Sequence, residues 1–222
     1  MSFAIAEAET RERFGESRIL LAELRRGAPP PLQPVTQLQK AQRGLWLVSL
    51  YAAVERSVNA SVEAALNEIS AEGIKSADTV SSLHSIFHFP KVQSLHSCGR
   101  NSIFEKSIAL LSASAGDEIL RTTDNPLAPS LQNVDSKTML WVLGLFGASA
   151  MSASPAALGR TNTLRERRNA VAHGRESAAN VGERYTITEL ENMYNAGDEV
   201  VTAFSSALKD HCTTKSYLRT TA

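Results

Sequence analysis

An arginine and a histidine lie five residues apart in the stretch RRNAVAHGRE, residues 167–176. The guanidinium of Arg168 is suited to hold a phosphate through two parallel hydrogen bonds and to stabilise the extra negative charge of a pentacoordinate transition state. The imidazole of His173 can accept and donate a proton near neutral pH. Asn169, four residues before His173, is placed to orient the ring or a ribose. These residue types predict cleavage of RNA without a metal, because RNA supplies its own 2′-hydroxyl nucleophile.

The same stretch is basic within a chain that carries no net charge. Lys and Arg number 23, as do Asp and Glu, so no global field draws the protein to nucleic acid or to an anionic membrane. Between residues 160 and 175 only one acid, Glu166, opposes the arginines. We predict that the arginines around Arg168 contribute to RNA binding, namely Arg160, Arg165, Arg167 and Arg175. A solvated helix face, with a histidine that complements the helix dipole, is the alternative that this pattern leaves open.

Helical periodicity dominates the chain, and no alternating strand of convincing length is present. Apolar residues recur at spacings of three and four, which is typical of amphipathic helices. We therefore predict an all-α, up-and-down helical bundle with an N-terminal helical extension. The predicted helices cover 2–26, 37–72, 101–113, 136–147, 161–173 and 189–212, with a shorter helix in 78–98 that breaks at Pro90.

Local signals predict where the late helices begin and end. One of the residues 161–163 is the expected N-cap of the helix that carries Arg168, and Gly174 stands where a left-handed residue closes a helix. Residues 176–185 are predicted to form a loop. Thr188 and Glu191 then have the spacing of a capping box for the last helix.

A proline-rich segment, GAPPPLQP at residues 27–34, is the clearest linker in the chain. It predicts an N-terminal helical arm and linker over 1–36, a helical domain over 37–215 and a C-terminal tail over 216–222. The arm is expected to pack either on the body of the protein or on a partner. The longest apolar run, residues 139–151, is too short to span a bilayer.

Residues 168–174, Arg-Asn-Ala-Val-Ala-His-Gly, resemble the Arg-Asn-x-x-x-His signature of the HEPN superfamily. Residues 47–66 are similar to the family's early helix, in which Tyr51 and Glu55 precede a long amphipathic run. The resemblance covers residues 45–212, and it is strongest to the prokaryotic branch tied to toxin–antitoxin and phage-defence systems. It implies an all-helical bundle with its signature near the last helix.

The resemblance also implies an activity and partners. HEPN ribonucleases work without a metal or other cofactor, as homodimers whose signature helices pair across the two-fold axis into composite clefts. Arg168 would bind the scissile phosphate, His173 would handle protons and Asn169 would support their geometry. The products would carry 2′,3′-cyclic phosphate ends, and a cognate antitoxin protein is an expected partner. The alternatives are a non-catalytic interaction module of the same fold and a module that binds a nucleotide.

Three further features leave alternatives open. Glu55 is interpreted as a solvent-facing residue or as a residue behind the site that orients Arg168. The histidines and cysteine of residues 84–98 have a spacing that zinc can use in part, but Pro90 separates them, so a packing role is favoured for His84, His88, His96 and Cys98. With only two cysteines, far apart, we expect a soluble protein of a reducing compartment, the cytoplasm.

Overall fold

The computed structural model describes residues 1–30, 32–122 and 124–219. Over these residues the chain forms nine α-helices and no β-strand, which confirms the predicted all-α bundle. None of the described helices has both the length and the apolar composition that a membrane span requires. The helices are α1 Phe3–Arg26, α2 Gln37–Ala71, α3 Ser81–Phe87, α4 Phe89–Ser97, α5 Ile103–Ala115, α6 Ser136–Phe146, α7 Pro155–Ala172, α8 Ala178–Gly182 and α9 Ile187–Thr213.

Helix α2 is the centre of the bundle, and α1, α7, α8 and α9 pack around it. It begins with a complete capping box, in which Thr36 and Gln39 exchange side-chain to backbone hydrogen bonds. Its apolar stripe is fully buried, including Leu47, Leu50 and Val54. The predicted helix over 37–72 is therefore confirmed.

Gly44 does not weaken the start of α2, contrary to what its low helix propensity suggests. The helix is continuous from Gln37, and α8 crosses it at this glycine. A Cβ atom on Gly44 would lie 1.9 Å from the carbonyl oxygen of Ala178, and one on Gly182 would lie 1.9 Å from the carbonyl oxygen of Lys40. The two glycines allow the backbones of α2 and α8 to touch.

Helix α1 packs on α2 and α9 of its own chain. Phe3, Phe14 and Leu21 join the same hydrophobic core as the rest of the bundle. The indole Nε1 of Trp46 donates to the carbonyl oxygen of Ser17 at 2.8 Å, which ties α1 to α2. The helix predicted over 2–26 is confirmed, whereas the division of the chain at 36/37 stays a prediction.

The first residues after α9 also contact the body of the protein. Tyr217 is 1% exposed, and its carbonyl oxygen accepts from Val80 N at 2.8 Å. Arg219 Nε donates to the carbonyl oxygen of Thr79 at 2.7 Å. Residues 216–219 thus lie against the segment before α3, and the predicted separation of a tail at residue 216 stays a prediction.

The predicted start of the helix that carries Arg168 is wrong. Helix α7 begins at Pro155, where Ser154 caps it by accepting from Ala157 N at 3.1 Å. Proline at the first position of a helix has no amide hydrogen to leave unpaired, so the Ser-Pro pair is the stronger start signal. Thr161 lies buried inside the helix. Gly174 does follow the end of the helix with a φ of 66°, as predicted.

Two other predicted boundaries are corrected. The expected loop over 176–185 contains α8, which Ser177 caps by accepting from Asn180 N. Helix α9 begins two residues earlier than predicted, because the capping box is formed by Thr186 and Glu189. The sequence offers two overlapping Thr-x-x-Glu pairs, and the structure uses the first.

Pro90 does not simply break a helix within 78–98. It occupies the second position of α4, directly after α3 ends at Phe87, so it starts a new helix and does not disrupt an existing one. The helix predicted over 101–113 is observed as α5, with both ends shifted by two residues.

Candidate active site

Arg168 is held in one orientation by α2 and by the segment before α6. Its Nη2 atom lies 2.7 Å from Glu55 Oε2 and donates to the carbonyl oxygen of Gln132 at 3.3 Å. Its guanidinium carbon lies 4.1 Å from the centre of the Tyr51 ring, a cation–π contact. Both of these contacts are made by Nη2. The side chain is 16% exposed.

Tyr51 and Glu55, the side chains that contact Arg168, are buried and partly buried, respectively. Tyr51 donates through its hydroxyl to the carbonyl oxygen of Val134 at 3.1 Å, and burial raises the pKa of this hydroxyl. Burial also raises the pKa of Glu55, more than the nearby charge of Arg168 lowers it. Glu55 thus faces Arg168, in the geometry expected of a residue that orients it.

His173 is the last residue of the signature and forms the C-cap of α7. Its backbone N donates to the carbonyl oxygen of Asn169 at 3.1 Å, and its side chain is exposed. The imidazole makes no hydrogen bond to any residue that the structure describes. Five residues on a helix correspond to about 140° of rotation and about 7.5 Å of rise, so Arg168 and His173 leave α7 in different directions.

Arg165 and Asn169, which lie four residues apart on α7, are both partly buried. Arg165 Nη1 lies 2.6 Å from Oδ2 of Asp135, the N-cap of α6. Burial alone would raise the pKa of Asp135, but hydrogen bonds from Thr138 and the charge of Arg165 outweigh it and lower that pKa. Asn169 Oδ1 and Arg165 Nε are buried without a hydrogen-bond partner in the described part of the chain. Arg165 therefore connects α7 to the start of α6.

The remaining arginines of this region differ in their contacts. Arg167 Nε donates to the hydroxyl of Tyr185 at 3.1 Å, beside α8. Arg160 and Arg175 are exposed, and neither forms an ion pair with the residues described. Of the four arginines predicted to contact RNA, only Arg165 forms an ion pair in the described part of the chain, and Arg160 and Arg175 are the exposed ones.

His84, in α3, and His88, directly after α3, form hydrogen bonds inside the protein. His84 Nε2 lies 3.0 Å from the carbonyl oxygen of Ser76 and 3.1 Å from the hydroxyl of Thr79. His88 Nε2 lies 2.9 Å from the hydroxyl of Ser76. Both rings are buried, in the packing role that the sequence favoured, and no group of three or more His, Cys, Asp or Glu is placed to hold a metal in the described residues.

Several partners of the signature residues have no sequence signal of their own. Gln132 and Val134 contribute only backbone oxygens, and Asp135 and Tyr185 lie in segments whose contacts with α7 depend on the tertiary fold. Tyr51 and Glu55 are different, because the resemblance of residues 47–66 to the early helix of the HEPN superfamily singled them out in the sequence. Their spacing of four places them on one face of α2.

The fold and the site define a class: an all-α bundle in which a late helix presents an anchored arginine and ends at an exposed histidine. The RiboL-PSP-HEPN family model matches residues 11–210, nearly the whole chain, and the protein belongs to this family of the HEPN superfamily. The match begins inside α1, well before residue 45, where the resemblance in the sequence starts. No curated protein and no solved structure matches the chain.

Proposed function

We propose that the protein is a metal-independent endoribonuclease of the HEPN type, acting in a toxin–antitoxin or phage-defence system. Membership of the HEPN family supports a role connected with RNA. The observation that carries the proposal is the contrast within one short motif. Arg168 is fixed by Glu55 and Tyr51, whereas the imidazole of His173 is exposed and makes no hydrogen bond to the residues that the structure describes.

The proposed reaction uses the ribose hydroxyl of the substrate. An imidazole removes the proton of the 2′-hydroxyl, and the resulting oxygen attacks the adjacent phosphorus. The bond to the 5′-oxygen breaks, and that oxygen leaves with a proton donated by an imidazolium. The products are a 2′,3′-cyclic phosphate and a 5′-hydroxyl. Arg168 stabilises the additional charge on the phosphate in the transition state.

A homodimer fits this chemistry better than a monomer. HEPN domains commonly bind RNA and dimerise. Arg168 and His173 of one α7 leave the helix about 140° apart, whereas two α7 helices related by a two-fold axis bring an arginine of one chain near a histidine of the other. The pairing also doubles the local positive charge, to which Arg160 and Arg175 contribute.

Point variants test the site directly. His173→Ala and Arg168→Ala are expected to lower cleavage of total RNA at least 100-fold, because each removes a group that acts in the transition state. Arg168→Lys keeps the charge but loses the fork geometry, so it should rescue little activity. Circular dichroism should show unchanged helix content, and EDTA should leave the wild-type rate unchanged.

His96→Ala is the matched control, since His96 is an exposed histidine on α4 outside the site. It is expected to cleave RNA as the wild type does. End-group analysis of the fragments should find 2′,3′-cyclic phosphates. Full cleavage by both purified site variants would refute this assignment of the site.

The ion pair between Arg168 and Glu55 favours a second candidate, a module that binds a nucleotide or a partner without cutting RNA. Glu55 ties Arg168 into the fold, and an arginine held in this way can bind a phosphate or an acidic partner group without any reaction. If wild-type protein binds nucleotides in a thermal-shift assay but leaves all RNA intact, this second function is the correct one.

A further inference from the structure

Helix α6 exposes an aromatic residue beside the candidate site. Its inner face is fully buried, with Met139, Val142 and Phe146 in the core. On its outer face, Trp141 is 47% exposed and its neighbour Leu140 is 45% exposed. A tryptophan is usually well buried. Trp141 instead lies half-exposed on a helix whose opposite face is packed in the core, so part of its indole ring faces solvent.

The start of α6 is attached directly to the helix that carries Arg168. Asp135, its N-cap, forms the ion pair with Arg165, and Ser136 N donates to Asn162 Oδ1 at 2.9 Å. Trp141 follows Asp135 by six residues, which is about 9 Å along a helix axis. The start of α6 is thus fixed on the helix that carries Arg168, and Trp141 lies further along α6.

The outer face of α6 also carries a positive charge. Lys137 is exposed, precedes Trp141 by one helical turn and forms no ion pair with any described residue. Proteins that bind single-stranded RNA combine aromatic rings, on which bases stack, with cations that follow the backbone phosphates. Lysine is depleted at the core of protein interfaces, so its position beside Trp141 favours a nucleic acid over a protein partner.

The exposed aromatic residue Phe104 lacks this placement. It lies on α5, which packs on α4 and on neighbouring short helical turns but has no extensive contact with α7. Trp46, the other tryptophan, is 3% exposed and its Nε1 is bound to Ser17. Trp141 is therefore the aromatic residue best placed to meet a substrate of the α7 site.

We propose that Trp141 is a stacking platform for a base of single-stranded RNA, with Lys137 holding an adjoining phosphate, so that α6 extends the substrate site away from Arg168. This inference rests on the proposed ribonuclease function, because it takes RNA as the ligand. Stacking on an indole tolerates any base, so the platform adds affinity for unpaired RNA without requiring one sequence.

Tryptophan fluorescence tests the platform in the full-length protein. In a His173→Ala background, which prevents cleavage, a single-stranded oligoribonucleotide is expected to quench part of the emission. Trp141→Phe should abolish the quenching, because the buried Trp46 does not touch the ligand. Trp141→Ala should weaken binding of this oligonucleotide at least 5-fold, and Trp141→Phe should weaken it less because phenylalanine still stacks.

Leu140→Ala is the matched control, since it removes an equally exposed apolar side chain that cannot stack. It should leave both quenching and affinity unchanged. If RNA is cleaved in a His173-dependent manner but Trp141→Ala binds it normally and no quenching occurs, the platform is refuted and the proposed function stands. If Leu140→Ala and Trp141→Ala both change the oligomeric mass but not RNA affinity, the face is a protein contact. If the oligonucleotide quenches the Trp141 emission but the wild-type protein cleaves no RNA, the platform is supported and the proposed function is refuted.

Discussion

Arg168 is prepared for its proposed role by two residues that lie 113 and 117 positions earlier in the chain. Glu55 provides a carboxylate at one side of the guanidinium, and Tyr51 provides an aromatic surface below it. A partly exposed ion pair contributes little to stability. We infer that the main effect of this arrangement is orientation, since it fixes a side chain that otherwise samples many rotamers.

Removal of the Glu55 charge should separate orientation from attraction. Glu55→Gln is expected to lower the cleavage rate constant about 10-fold or more, because Arg168 loses its fixed partner and the fork is misplaced. The Kd for RNA should not rise, because the variant has one negative charge fewer near the phosphate. Single-turnover kinetics and a binding assay in the His173→Ala background measure the two quantities.

Ser94→Ala provides a comparison for Glu55→Gln, as Ser94 is a polar residue on α4 outside the site. It should change neither the rate constant nor the Kd. A Glu55→Gln protein that cleaves RNA at the wild-type rate would show that this carboxylate does not position Arg168.

At the level of single residues, the sequence was informative about chemistry and less so about surroundings. Arg168 and His173 were identified from residue type and spacing, Glu55 was considered as a residue that orients Arg168, and the structure places Glu55 against Arg168. Helical spacing puts Arg165 four residues before Asn169 on the face that also carries His173, but it does not predict that Arg165 turns towards Asp135. A helical wheel contains no information about which neighbouring helix offers a carboxylate.

Among the elements, α2 and α8 cross with their backbones in close contact. This crossing depends on Gly44 and Gly182, where the two backbones approach without side chains between them. Helix α8 is only five residues long and is stable only through packing, because isolated helices of this length do not persist in water. This is why residues 176–185 looked like a loop in the sequence.

Two glycine substitutions test the crossing. Gly44→Ala is expected to lower the free energy of unfolding by about 2–4 kcal/mol, because the added methyl group overlaps the Ala178 backbone, which cannot rotate away. Gly159→Ala in α7 is the matched control, since no atom lies within 4 Å of its Cβ position. It should raise stability by about 0.5–1 kcal/mol. Urea denaturation measures both, and equal stability of the two variants would contradict this close approach.

The long helices could be predicted because their periodicity continues over many turns, as in α1 and α2. Their starts were harder, since several caps compete within a few residues. Ser154 with Pro155 and Thr186 with Glu189 prevailed over later alternatives for α7 and α9. At α7 the deciding signal is local, because proline at the first position of a helix leaves no amide hydrogen unpaired.

Considered as a whole, the molecule is neutral, so any attraction of RNA to the site must come from local charge. Around α7, Arg160, Arg175 and Lys137 are exposed cations that form no ion pair with the described residues. In the proposed homodimer, two-fold pairing would double this local positive charge. The proposed activity therefore belongs to the assembly more than to the single chain.

The composite cleft makes a quantitative prediction about mixed dimers. If each cleft takes Arg168 from one chain and His173 from the other, a heterodimer of Arg168→Ala and His173→Ala has one intact cleft. Co-refolding the two inactive proteins in equal amounts gives heterodimers as half of all dimers, so about a quarter of the wild-type activity should return. A mixture of His173→Ala with the double variant provides the control and should remain inactive. If the first mixture also stays inactive while light scattering shows that dimers have formed and exchanged, both groups act within one chain.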